Sequence, residues 1–582
     1  MSERIVVDPV TRIEGHLRVE VNLDETGKIS DAYSSGTSVR GLELILKDRD
    51  PRDAWAFAQR ICGVCTLVHG LASVRSVEDA LGWEIPPNAH LIRNLMSAAQ
   101  YVHDHVMHFY HLHALDWVDV VSALDADPKA TSELAQSIST YSKSSPGYFA
   151  DAQTRVKGLV ESGQLGIFAN AYWGHEGYRL PPEANLMAVA HYLEALAWQR
   201  EVVRLHAIFG GKNPHPNFLV GGCASPISTD PSASTGGFDG TSVNVTTLQQ
   251  VRDVIATMRE FVERVYLPDT LAVASFYKDW FRRGEGVGNF MTYGDFPLDS
   301  SGDRSSWMVP AGVVTNRDLG SFQPIDLNDP EQVTENVARA WYSYSDGDDI
   351  GLHPYDGQTK FAYDGPQPPY THLDVESNYS WLKSPRWRGQ PMEVGPLARM
   401  VTWLATGNER ATELATGALR QLDLPVEAIY STMGRTAARA LETQMFVEQM
   451  DGWLDALFAN IAAGDLSVHN AKMWEPRTWP KLAKGVGTVE APRGALGHWI
   501  VIRDGKIDNY QAVVPTTWNA GPRDADGGIS AYEAALMDNH ELAERDKPLE
   551  IIRTLHSFDP CLACAVHVAG DDDTQGLDIS IK

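Results

Sequence analysis

Four of the five cysteines fall into two pairs of one form, Cys62-Gly63-Val64-Cys65 and Cys561-Leu562-Ala563-Cys564. Two intervening residues let both sulfurs of a pair turn toward one ion, and four thiolates make a soft ligand set suited to zinc, an iron-sulfur cluster or nickel. Either pair alone would equally suit a redox dithiol, a structural disulfide or a zinc knuckle. The two pairs, however, stand near opposite ends of the chain. A zinc ribbon brings its pairs within about 15–20 residues on one small module, so a local knuckle is disfavoured, while a four-thiolate zinc site joining the termini stays open. Cys223, in Gly221-Gly222-Cys223, reads as a small buried hydrophobe.

Two other groups of residues could do chemistry. Glu14 stands beside Arg12 and near Arg18, and on residue types alone an ordinary ion pair is the expected use of such a carboxylate. Raised in pKa by burial, the same group could exchange protons. The stretch from His90 to His113 holds six histidines, with His105, His108 and His111 three apart, a spacing that invites a metal-binding reading. Phe109, Tyr110, Leu112 and Trp117 lie among them, which favours a buried helix with hydrogen-bonded histidines instead.

The elements that must position these groups are mainly helical. Helical periodicity covers Asn88 to Leu124, Leu248 to Trp280, Pro396 to Leu422 and Thr436 to Ala463. A further helix runs from Pro182, a first-turn proline, to Phe209 before Gly210-Gly211. Leu17 to Leu23 alternates apolar and polar residues and meets Asp24-Glu25-Thr26-Gly27, a strand entering a hairpin turn. Near the other end, His498 to Ile502 leads through Asp504-Gly505 to Tyr510-Val514, a second hairpin. Gly286 to Gly395, rich in Gly, Pro, Asp and aromatic residues, is expected to be irregular surface structure. The expected fold class is therefore mainly α with small β sheets (α+β), around a bundle of long helices, in one continuous body without a long linker.

Composition narrows the function classes. With 582 residues, 43% hydrophobic and 21% charged, the chain can bury a large core. The net charge of −27 repels phosphate backbones and anionic lipid, so no nucleic-acid partner is expected. No stretch approaches the roughly 20 apolar residues needed to span a bilayer, and Met1 to Val7 lacks the charged start and apolar core of a signal peptide. Any export is therefore expected to depend on a partner.

Arg60-Ile61-Cys62-Gly63-Val64-Cys65-Thr66-Leu67-Val68-His69 and Asp559-Pro560-Cys561-Leu562-Ala563-Cys564-Ala565-Val566-His567 resemble the two signature motifs of nickel-iron hydrogenase large subunits. The likeness extends over essentially the whole chain. Supporting segments are Asp8-Pro9-Val10-Thr11-Arg12-Ile13-Glu14-Gly15-His16, Ser162-Gly163-Gln164-Leu165-Gly166 and Ala491-Pro492-Arg493-Gly494. The resemblance implies reversible heterolytic cleavage of H2 at a nickel-iron centre whose iron carries carbon monoxide and cyanide. Cys62 and Cys561 would be terminal on nickel, with Cys65 and Cys564 bridging to iron. Arg493, with Pro492 and Thr516, would face the diatomic ligands, Asp104 and Asp559 would hold the arginine, and Cys561 or Arg493 would pass a proton to Glu14. The bland reading of both aspartates is a surface or helix-cap acid. Glu43, the backbone carbonyl of Ala512 and His567 would bind magnesium, a hard cation suited to oxygen ligands.

The resemblance also implies partners: an iron-sulfur small subunit, nickel-insertion chaperones, a maturation endopeptidase and a membrane cytochrome b. The domain organisation it implies is a mature chain over 1–567 and a C-terminal extension, 568–582, removed after His567. The expected location is the periplasmic side of the cytoplasmic membrane, reached together with the small subunit. An alternative from another class is a non-catalytic electron-transfer scaffold like the related quinone-binding subunit of respiratory complex I. Such a scaffold has no need of thiolate ligands, and here both pairs are intact.

Overall fold

The computed structural model describes residues 3–163, 168, 171–229, 242–298, 304, 307–357, 360–367 and 369–565. The fold is α+β. At its centre the helices Pro87–Met107 and Thr432–Ala462 pack against each other, flanked by Val245–Phe261 and Pro396–Ala405. Each has a start that its sequence dictates. Pro87 occupies a first-turn position where its missing N–H costs nothing, and the Ser431 hydroxyl accepts from the Gly434 N–H to cap the longest helix.

Two three-stranded antiparallel sheets serve the site. The N-terminal one orders Glu3–Val7, Leu17–Leu23 and Ile29–Gly36. The C-terminal one orders Leu482–Ala491, Gly494–Arg503 and Lys506–Val513. Asp504-Gly505 forms the expected two-residue turn, with both residues at positive φ. The other hairpin of this sheet turns on Pro492-Arg493, since Ala491 pairs with Gly494.

The C-terminal sheet lies directly on the helix Val68–Leu81, which follows the first cysteine pair. Gly485 and Gly487 make that approach possible: a Cβ on Gly487 would stand 1.9 Å from the Ala72 carbonyl oxygen, and one on Gly485 2.3 Å from the Ala80 nitrogen. Only a residue without a side chain fits.

Three expectations need correction. The helical run from Asn88 ends as regular α-helix at Met107 and widens into a π-type turn over His108–His113. Pro396 to Leu422 is two helices, Pro396–Ala405 and Glu409–Leu422, split where Gly407 takes φ +74°. The stretch Gly286 to Gly395 is not surface structure throughout. It contains the paired strands Phe290–Asp295 with Val309–Val314 and Val333–Asn336 with Ser384–Trp387, which bury Met291, Tyr293, Val313, Val333 and Trp387 in a second core. Gly294, Pro310, Gly312 and Pro385 lie within these strands and so do not mark turns. The helix Val68–Leu81 and the strand Leu482–Ala491 add to the elements expected from sequence.

Candidate metal centre

The two cysteine pairs meet. Cys62 follows a short 3-10 turn, and its sulfur accepts from the Cys65 backbone N–H at 3.3 Å. Cys561 follows the helix Leu549–Ser557 through Asp559, at φ +59°. All four sulfurs are buried and belong to free cysteines. They stand 3.5 Å apart for Cys62 and Cys561, 3.0 Å for Cys65 and Cys564 and 2.9 Å for Cys561 and Cys564. Those separations far exceed the ~2.05 Å of a disulfide. All four lie within 4.8 Å of one another, near enough for a single ion to be reached by every sulfur.

Their electrostatics call for a cation. Hydrogen bonds from the other three thiols, Cys561 first, hold Cys62 well below the usual thiol range, while burial pushes Cys65 up to about 11. Burial, reinforced by the three neighbouring sulfurs, likewise pushes Cys561 well up, and burial with Cys62 and Cys65 pushes Cys564 well up against the lowering bond from Cys561. One thiolate forms readily, and the rest need positive charge to ionise.

That charge is partly supplied by Arg493, fully buried on the Pro492-Arg493 turn. It donates to Asp104 Oδ2 and Asp559 Oδ1, both at 3.1 Å. Burial works against its charge, but Asp559, Cys561 and Asp104 outweigh burial and keep it protonated. Its Nε is buried without a hydrogen-bond partner. A small cavity beside the sulfurs is lined by Cys65, Cys561, Cys564, Arg493, Thr516 and Pro515, with Val68, His69, Ala491 and Leu496 completing it. The Thr516 hydroxyl accepts from the Cys561 N–H at 3.1 Å, and the Pro492 carbonyl accepts from Arg399 at 2.9 Å. Asp104 and Asp559 are thus buried partners of the arginine, not surface or cap acids.

Glu14 is built into the second cysteine segment. Its backbone N–H donates to the Pro560 carbonyl at 3.3 Å, its carbonyl accepts from Leu562 at 2.8 Å, and its Oε2 accepts from the Ala563 N–H at 3.0 Å. The Cys561 thiol lies 3.3 Å from the same oxygen. Gly15, at φ +83°, permits this approach, because a Cβ there would meet the Ala563 nitrogen at 2.5 Å. The ion-pair reading of Glu14 is overturned: Arg12 pairs with Asp116, and Arg18 with Asp8 and Glu20. Burial, then the charge at Cys62, raises the Glu14 carboxyl above its ordinary range.

Several positioning residues escaped sequence reasoning. Gln100 donates to both the Val64 carbonyl, at 3.0 Å, and Asp104, one turn later on the same helix. Arg40 donates to the carbonyls of Ile61 and Ala563, joining the two cysteine segments. Their partners are mostly backbone carbonyls, which leave no trace in residue spacing. The histidines are hydrogen-bonded as expected: His105 to Glu442, His108 to the His556 carbonyl and His111 to the Tyr192 carbonyl. Cys223 is buried, as expected.

Away from the sulfurs, Glu43 accepts from the Ala512 N–H at 3.0 Å through Oε1, while its Oε2 is buried without a hydrogen-bond partner. Both residues line a small cavity with Glu335 and Lys383. Burial pushes the Glu43 carboxyl up to about 7, against the lowering pull of the Lys383 ammonium. His567 and the segment 568–582 lie outside the described residues.

Free thiols from both ends of an α+β chain, ringed by a buried arginine and a carboxyl, define a thiolate metalloenzyme, and the chain belongs to the nickel-dependent hydrogenase family, whose model matches residues 40–567. A HoxL-like model matches residues 4–37. The protein is accordingly a hydrogenase, the catalytic subunit that carries the nickel-iron centre. It is 56% identical to the uptake hydrogenase large subunit of Rhizobium leguminosarum bv. viciae, over 100% of this chain and 98% of that one. It is 52% identical to the hydrogenase-1 large chain of Escherichia coli K12, with the same coverage. Among solved structures it resembles the Ni-Fe-Se hydrogenase from D. vulgaris Hildenborough in the reduced state, with TM-score 0.74 and 33% identity over 97% of this chain and 100% of that one.

Proposed function

We propose that Cys62, Cys65, Cys561 and Cys564 hold the nickel-iron centre, that Arg493 and Thr516 face carbon monoxide and cyanide on the iron, and that Glu14 carries the proton away. The observation that carries this reading is the single cluster of four buried free thiols with a charged arginine against it. When bound, the centre supplies the redox chemistry that parts H2 into protons and electrons. The protein's own residues then have separate tasks. Asp104 and Asp559 fix the Arg493 guanidinium, so that its donors are oriented before any ligand arrives. The Cys561 sulfur, 3.3 Å from Glu14 Oε2, is within reach for direct proton transfer. Burial raises this carboxyl above its ordinary range, so it holds a proton more readily than an exposed carboxylate would.

Electrons leave to an iron-sulfur small subunit, since one cysteine beyond the four is too few to hold a cluster. A membrane cytochrome b receives them next, and the complex works on the periplasmic side of the membrane. Among the described residues no helix is long and apolar enough to cross a membrane. Magnesium binds at Glu43, the Ala512 carbonyl and His567, and the unpartnered Glu43 oxygen supports this. Nickel-insertion chaperones and an endopeptidase mature the chain by cutting after His567, and the family match supports that by ending at residue 567. Infrared spectra of the purified complex test the centre: bands of metal-bound carbon monoxide and cyanide are expected, and zinc without nickel in elemental analysis would overturn it. Intact mass tests the processing, with an end at His567 expected and an end at Lys582 refuting it.

A further inference from the structure

Glu14 and Cys561 lie on two pieces of chain from opposite ends, and their 3.3 Å contact is only as good as the angle between those pieces. Arg12 at φ +56°, Gly15 at φ +83° and Asp559 at φ +59° all take left-handed backbone within this meeting point. The two non-glycine residues persist there only where surrounding contacts hold them.

The Asp559 carboxylate is held by Arg493 and Arg439, while Arg12 and His556, three residues before Asp559, converge on one buried carboxylate. Asp116 Oδ1 accepts from the Arg12 guanidinium, and Oδ2 accepts from His556 Nδ1 at 2.7 Å and His113 Nδ1 at 3.0 Å. Arg12 also donates to the Leu112 carbonyl, and His556 Nε2 donates to the Thr11 carbonyl at 2.8 Å. His108 Nε2 donates to the His556 carbonyl at 2.6 Å. Thr11 and Arg12 lead into Glu14, and His556 leads into Asp559 and Cys561. One side chain therefore grips both arms just before they touch.

We infer that Asp116 is a positioning residue for proton transfer, setting the Glu14 carboxylate against the Cys561 sulfur by clamping Arg12 and His556 together. His113, Asp116 and His556 also have the spacing of a metal site, but their ligating atoms are spoken for. Trp117 Nε1 donates to His113 Nε2 at 3.1 Å, with the Thr436 hydroxyl 3.0 Å away, and His556 Nε2 faces a carbonyl. Burial opposes a charge on Asp116, yet Arg12 and His556 hold it well below the usual carboxylate range, as a clamp needs.

The inference rests on Glu14 being the proton carrier, and the test separates the two. In the complete complex, Asp116→Asn keeps the shape and removes the charge. Nickel and iron content should stay at the unmodified level, while isotope exchange between H2 and D2O, relative to ortho–para conversion, falls at least ~10-fold. Amide exchange by mass spectrometry, measured also on metal-free protein, should rise about as much at Glu14, Leu562 and Ala563 and stay unchanged elsewhere. Combined with Glu14→Gln, Asp116→Asn should add no further slowing, because two links of one path do not act independently. Unchanged exchange with Asp116→Asn beside slowed exchange with Glu14→Gln overturns the clamp alone, as does full additivity. Unchanged exchange with Glu14→Gln overturns the reading of Glu14. Should Asp116→Asn fail to accumulate or lose its metals, Arg12→Gln, which cuts one arm only, decides: a lowered exchange ratio supports the clamp and an unchanged ratio refutes it.

Discussion

The two cysteine pairs share a spacing and differ in how they are held. Cys62 and Cys65 belong to a framework: the 14-residue helix Val68–Leu81 follows them, presses on the C-terminal sheet, and Gln100 fastens the intervening Val64 carbonyl. Cys561 and Cys564 sit on an arm whose last described helix, Leu562–Ala565, is four residues long. That arm is held by Glu14, Thr516 and Arg40 from elsewhere in the chain. One half of the ligand set is thus built by local folding, and the other is docked onto it. Stability and metal retention should therefore be separable.

The largest effect should come from the ligands themselves. Cys65→Ser and Cys561→Ser each replace a soft anion with a neutral hydroxyl, so nickel content and H2-dependent dye reduction should both fall to background. Framework and arm should then part company. Gly487→Ala places a methyl against the Ala72 carbonyl and should cost on the order of 3 kcal/mol of stability, seen as a lower melting temperature. Gly15→Ala loosens the arm, and should lower nickel retention with the melting temperature nearly kept. A drop of equal size in both variants would erase the distinction.

Glu14→Gln leaves the sulfurs intact and should keep the metals bound, while slowing proton exchange with solvent by roughly 10²–10⁴-fold. Unchanged turnover and exchange would remove Glu14 from the path. A last effect concerns a buried charge away from the sulfurs. Burial raises the Glu533 carboxyl from 4.5 to about 7, where it accepts from the Ser34 N–H of the N-terminal sheet. The native state then holds a proton that the unfolded chain has released between those values. This contribution is full below pH 4.5 and is lost as pH rises through 7, by at most ~3 kcal/mol. Glu533→Gln should flatten the fall, as read by denaturant midpoints across that range.

How much of this was legible in sequence follows the same division. The cysteine pairs and the Asp504-Gly505 turn were readable because each is a local pattern with a local physical cause. Glu14 was not readable from residues alone, since Arg12 and Arg18 offered nearer partners, and only the family resemblance pointed past them. Gln100 and Arg40 act on carbonyls, which every residue possesses. The buried strands between Gly286 and Gly395 were hidden because glycine and proline suggest turns even where they lie within strands, and say nothing of what packs over them.

The meeting of the chain's two ends also sets a clock. Cys62 and Cys561 are 499 residues apart, and a ribosome adding about 5–20 residues per second needs ~25–100 s to make the second after the first. Throughout that interval the first pair is a half-site, exposed to whatever soft ion the cell offers. A four-thiolate centre cannot be completed until the second pair is made, so delivery of the right metal has to wait for a nearly finished polypeptide, and protection of the waiting thiols becomes as much a requirement as their geometry.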